Sequence, residues 1–258
     1  MRLRLLGLLM LSVAMGAVQA GNRQRELDYA NGLQQSAGQS GGVWLTSGGQ
    51  PFFALFTEAE KTDNSRAVIV LHDMGEHPDQ QPVVHGLRIV LPQHGWTTVS
   101  IQLPLREMGA SREDYYGLFD EARGRIQAGA DYLRNRGAKN IALVGYGMGA
   151  AMAAYTLSQD SKGLDALATI SLPLPDSALP QAQIGEFIKN IALPFLDVYA
   201  EFDLPEVADT ARQRRMLGKD NPVYRQIRIN GENHAYRHDP MMLIKRIYSW
   251  LALSLGPN

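Results

Sequence analysis

Short apolar runs separated by amphipathic stretches dominate the chain from about residue 43 onward. Val43-Trp44-Leu45 and Pro51 to Phe56 flank Ser47-Gly48-Gly49, the signature of a β-hairpin. Ala67 to Leu71 is a continuous β-branched run, as expected of a strand buried on both faces. Further strands are predicted at Thr97 to Leu103, Ile141 to Val144, Ala166 to Ser171 and Phe195 to Ala200. Tyr224 to Ile229 alternates more and reads as nearer the edge of a sheet. Between the strands, Phe119, Ala122, Ile126, Ala130 and Leu133 recur at steps of three and four and make one apolar stripe. Gly149 to Leu157 is a small-residue helix suited to close packing on a sheet, and a closing amphipathic helix carries Leu243, Ile247, Trp250 and Leu251 after Pro240. A hairpin followed by repeated strand–helix units predicts an α/β fold: a mainly parallel central sheet with helices on both faces.

The two ends of the pattern differ from its middle. Arg2 and Arg4 precede an apolar run from Leu5 to Ala17, and Val18-Gln19-Ala20 gives the small-x-small motif of a cleavage site. Residues 1–20 therefore read as a signal peptide, the run being too short for the roughly 20 apolar residues of a membrane span. Residues 21–42, rich in Gln, Ser and Gly, read as a loosely held N-terminal arm with a helical turn around Glu26 to Leu33, and residues 43–258 as one domain. The expected location is the periplasm or the medium. Without Arg2 and Arg4, 23 basic residues face 26 acidic ones, which speaks against nucleic acid as a partner. With no cysteine, the chain forms no disulfide and carries no lipid-anchoring thiol.

The candidate chemistry begins at Ile141-Ala-Leu-Val-Gly145-Tyr146-Gly147-Met148-Gly149-Ala150, an apolar strand that runs through Gly-x-Gly-x-Gly into a helix. This is the context of a nucleophile elbow, usually Gly-x-Ser-x-Gly, with glycine at the central position. A dinucleotide-binding loop is the rival. Its third glycine would fall one residue later and its place is the first strand–helix unit, so the match is poor. Downstream, a strand ends at Tyr199-Ala-Glu-Phe-Asp203, and a second leads into Gly231-Glu-Asn-His234. The order elbow, acid, histidine resembles that of the α/β-hydrolase superfamily, from about Trp44 to the C-terminus.

That resemblance implies an α/β-hydrolase fold with Gly147 at the nucleophile position, Asp203 and His234 as the acid–histidine pair, and backbone N–H groups near Met74 and at Met148 as an oxyanion hole. In Leu71-His72-Asp73-Met74-Gly75-Glu76-His77-Pro78-Asp79, Asp73 stands where the superfamily's His-Gly loop has glycine. With Gly95-Trp96 and Gln102-Leu-Pro104, this segment is similar to an uncharacterised proteobacterial family of exported hydrolase-like proteins.

Glycine has no atom with which to attack a carbonyl, and losing a triad nucleophile costs about 10⁶ in rate. Two functional readings follow. In one, the protein binds a small molecule or a periplasmic protein in the old substrate crevice without turnover. In the other, Asp203 and His234 activate water, or Tyr146, Ser100 or Ser171 attacks, to hydrolyse an ester or amide. The cluster His72, Asp73, Glu76, His77 and Asp79 lacks the spacing of a metal motif and reads as a loop, so no metal and no cofactor are expected. Asp176 to Asn190 is expected to form a small cap over the crevice, with a helical turn at Ile184 to Ile188.

Overall fold

The computed structural model describes residues 21–36, 41–60 and 65–256; the expected signal peptide lies outside them. The strands are β1 (Gly42–Ser47), β2 (Gln50–Thr57), β3 (Arg66–Leu71), β4 (Thr97–Ile101), β5 (Asn140–Tyr146), β6 (Ala166–Ile170), β7 (Phe195–Phe202) and β8 (Tyr224–Asn233). They form one eight-stranded sheet in the order β1-β2-β4-β3-β5-β6-β7-β8. The hairpin β1–β2 and the pair β2–β4 are antiparallel, and every other pairing is parallel. The predicted α/β architecture is the one observed, with β8 at the edge.

The helices are α1 (Arg23–Ser36), α2 (Val83–Val90), α3 (Arg112–Tyr116), α4 (Phe119–Arg134), α5 (Met148–Gln159), α6 (Ile184–Asn190), α7 (Pro205–Ala208), α8 (Ala211–Leu217) and α9 (Pro240–Leu255). Alternation along the buried strands divides the core in two. Ile69, Leu71, Val99 and Ile101 face the layer of α4, α5 and α6. Val68, Val70, Ala142 and Val144 face α2 and α9 on the other side. The predicted stripe of α4 is buried throughout. Because the strands from β3 to β8 run parallel, the loops after them gather at one end of the sheet, where ligand sites of open α/β sheets are found.

Two expectations are corrected. The N-terminal arm is not loose: α1 docks on the domain through polar contacts. Glu26 is buried and its carboxylate receives Arg125 Nη2 at 2.9 Å and the Leu105 N–H at 3.2 Å. Arg25 donates to the carbonyls of Gly75 at 2.7 Å and Arg106 at 2.9 Å, and the Tyr29 hydroxyl donates to Gly75 as well. The segment expected to cap the crevice instead joins the core, since Ile184, Phe187 and Ile188 of α6 are buried and Phe187 lies edge-on to Tyr155 of α5.

Replacing Glu26 with alanine leaves the buried Arg125 with Glu121 as its remaining carboxylate. The Glu26→Ala variant is expected to lose about 2–3 kcal/mol of stability. Urea unfolding checks this; a loss below about 0.5 kcal/mol would mean that α1 is as weakly held as its composition suggests.

Candidate functional site: an occupied elbow

The turn from β5 into α5 has the close packing that its glycines imply. A Cβ on Gly145 would lie 2.5 Å from the Gly149 carbonyl, and one on Gly149 would collide with the His72 carbonyl. Gly147 precedes α5 with φ 56° and ψ −117°, a backbone that costs of order 1–3 kcal/mol for a residue with a side chain.

The place that a side chain at 147 would fill is already taken. A Cβ built there overlaps the carboxylate of Asp73, which reaches across from the loop after β3. Its Oδ1 accepts the Met148 N–H at 2.7 Å and the Met74 N–H at 2.6 Å. These are the two amides that the resemblance assigns to the oxyanion hole, and here they converge on one oxygen of the protein itself. Asp73 is held from behind as well, its own N–H donating to Gln80 Oε1 at 2.9 Å.

The other oxygen, Oδ2, lies 3.0 Å from His234 Nε2, and His234 Nδ1 lies 2.8 Å from Asp203 Oδ1. Asp203 follows β7 and His234 follows β8, so parallel neighbours deliver both to the same end of the sheet. An ionised carboxylate only accepts hydrogen bonds, so an imidazole between two of them carries a proton on each nitrogen. Burial alone would lower the His234 pKa, but the hydrogen bonds to Asp203 and Asp73 outweigh it and raise it to about 9. His234 is therefore a cation at neutral pH, without the lone pair a general base needs.

Asp203 is fully enclosed. Ser171 Oγ donates to its Oδ2 at 2.5 Å, the Ala200 N–H donates to the same oxygen at 3.0 Å, and the Leu204 N–H donates to Oδ1 at 2.9 Å. Burial by itself would raise this carboxyl; the hydrogen bonds from His234, Ser171 and Ala200 prevail and hold it below the usual range. Ser171 makes this contact from a left-handed backbone, with φ 54°.

The remaining candidates are committed elsewhere. The Tyr146 hydroxyl donates to the His234 carbonyl at 2.6 Å, and burial pushes its pKa well up, so it positions the histidine rather than attacking. Ser100 is buried and donates to Val70. His72 is also buried: Nδ1–H donates to the Asp73 carbonyl and Nε2 accepts the Leu103 N–H at 2.9 Å, while desolvation drives its pKa to about 3. Asp79 pairs with His85 and Arg88, and His77 packs on Tyr29, so the acidic and histidine residues of this loop do not converge. The cleft beside Asp73, bounded by Met74, Leu103, Leu105, Tyr115 and Met148, leaves no interior space large enough for a water molecule. Small-molecule pockets usually run to about 300–1,000 Å³.

The shifted His234 and Asp203 give stability a defined pH dependence. His234 has a folded pKa above its unfolded value of 6.5, so its contribution is complete below pH 6.5 and disappears as pH rises toward 9. Asp203, depressed in the fold, contributes above pH 3.8 and loses that contribution as pH falls. Urea unfolding at pH 6 and pH 9.5 is expected to differ by on the order of 2–3 kcal/mol. In His234→Gln that alkaline loss should shrink to the background slope; an unchanged slope would assign it to other groups.

Solved structures share the fold. Est1E from Butyrivibrio proteoclasticus is 14% identical with a TM-score of 0.69, covering 84% of this chain and 100% of its own. The Pyrococcus furiosus esterase Pf2001 is 16% identical with a TM-score of 0.69, covering 83% of this chain and 91% of its own. At these identities the likeness establishes the α/β-hydrolase fold alone. No curated protein matches the sequence. Among the described residues no helix is long and apolar enough to cross a membrane. A family model described as a protein of unknown function, DUF3530, matches residues 14–117 and 118–252, and the chain belongs to that family.

Proposed function

We propose that this is an exported, non-catalytic protein of the α/β-hydrolase fold that works by binding at the mouth of the former substrate crevice. The observation that carries the reading is the Asp73 carboxylate, seated where a nucleophile's side chain would be and saturating the Met74 and Met148 amides. In a working serine hydrolase that hole stays free for the developing oxyanion, and the histidine is a neutral base. Here the hole holds a carboxylate and the histidine is a cation.

Binding is placed at the rim because the crevice floor is nearly closed. Met74, Met108, Leu179 and Phe202 are large apolar side chains left exposed on loops after β3, β4 and β6 and at the end of β7, all at the triad's end of the sheet. Large apolar side chains left exposed on these loops favour a protein or peptide ligand over a small polar one. Export rests on the basic, apolar and small-residue pattern of residues 1–20.

The purified protein is expected to resist fluorophosphonate labelling and to leave short aryl esters intact. Gly147→Ser alone should stay unreactive, because its side chain would have to displace Asp73. The double variant Asp73→Gly/Gly147→Ser, with the hole emptied and a hydroxyl restored, should become labelled in a manner that depends on His234. Turnover by the parent protein that disappears in His234→Ala would overturn the non-catalytic reading. It would favour hydrolysis through the Asp203–His234 pair instead.

A further inference from the structure

Gly21, the first residue after Val18-Gln19-Ala20, is seated against the domain. A Cβ on it would lie 3.1 Å from Glu26 Oε1, 3.2 Å from the Leu105 carbonyl and 3.3 Å from Pro104 Cβ. All three distances are tighter than ordinary contacts, so the place fits glycine and resists a side chain. The next residue is fastened too, the Asn22 N–H donating to the Leu105 carbonyl at 2.5 Å.

Glu121, in the first turn of α4, divides its two oxygens between different tasks. Oε1 receives Arg23 Nη2 at 2.8 Å and Arg125 Nη2 at 2.7 Å. Oε2 faces the Gly21 nitrogen at 3.4 Å, its one donor among the described residues. A peptide nitrogen offers that oxygen a single N–H at a long distance. An α-ammonium would offer three donors and a full positive charge.

We propose that the chain is cut between Ala20 and Gly21, and that the new α-ammonium is bound by Glu121 as a structural part of the mature fold. In the cut, water adds to the Ala20 carbonyl carbon, the C–N bond breaks, and the released Gly21 amine takes up a proton. A signal peptidase supplies the catalysis. Beside it, the Asn22 N–H holds the carbonyl of Leu105, a residue that walls the cleft beside Asp73. The cut rests on the export reading; the docking of the amine stands on the geometry of Gly21.

The test has two stages. The full chain is expressed in a cell with a signal peptidase, and the mature protein's intact mass is expected to place Gly21 first. A mature protein that starts at another residue overturns the cut alone, and one that retains residues 1–20 overturns the cut and the export reading together. Protein that starts at Gly21 is then compared with the same protein acetylated at its α-amine. The free amine, labelled with ¹⁵N at Gly21, is expected to titrate above the usual range of about 7.7–8.0. Acetylation should lower the melting midpoint by about 2–4 °C. In Glu121→Gln, acetylation should have no further effect, which separates this contact from the loss of the Arg23 and Arg125 pairs. An amine that titrates normally, with a melting midpoint indifferent to acetylation, overturns the docking while leaving the export reading standing.

Discussion

The arrangement at the head of the sheet depends on one contact, the carboxylate of Asp73 against the imidazolium of His234. Two carboxylates, Asp73 and Asp203, converge on one histidine at 3.0 and 2.8 Å. Were His234 neutral, two partly buried anions would face each other across its ring with no charge between them. Held as a cation, it binds β3, β7 and β8 together through the loops that follow them. The same contact occupies the ring nitrogen with which a histidine takes up a proton.

Gly147 and Asp73 are sterically complementary. A serine at 147 would overlap the Asp73 carboxylate, and a glycine at 73 would leave the Met74 and Met148 amides without this acceptor. The strained backbone of the elbow persists although nothing reactive is displayed there. It persists because Gly145 and Gly149 must let α5 approach β3 and β5 closely, a packing demand independent of chemistry.

Much of this was legible in the sequence. The strands showed as β-branched runs, and Gly147, Asp203 and His234 each lie at the end of a strand that its apolar pattern marks. Asp73 was visible only as a departure from a resembling motif. Its carboxylate crosses to the elbow over 74 positions of chain, and no local pattern encodes such a reach. The clue was that two departures are complementary: a side chain gained at 73 and one lost at 147. Helix α1 has only a short apolar face, Ala30 and Leu33 against Phe53 and Leu55, and is otherwise fixed by Arg25, Glu26 and Tyr29. No element is predicted for Val83 to Val90, where the structure has helix α2. Ser171, a candidate nucleophile by sequence, instead donates to Asp203, a tertiary contact that no local pattern encodes.

The protonation state of His234 tests this account most directly. In ¹⁵N-histidine NMR at pH 7.5, both ring nitrogens of His234 should carry protons, and the signal should persist toward pH 9. Asp73→Asn should lower the titration by removing one of the two charges. A wild-type His234 that is neutral at pH 7.5, with a free Nε2 and a midpoint near 6.5, would contradict the account and return the site to the ranks of candidate bases.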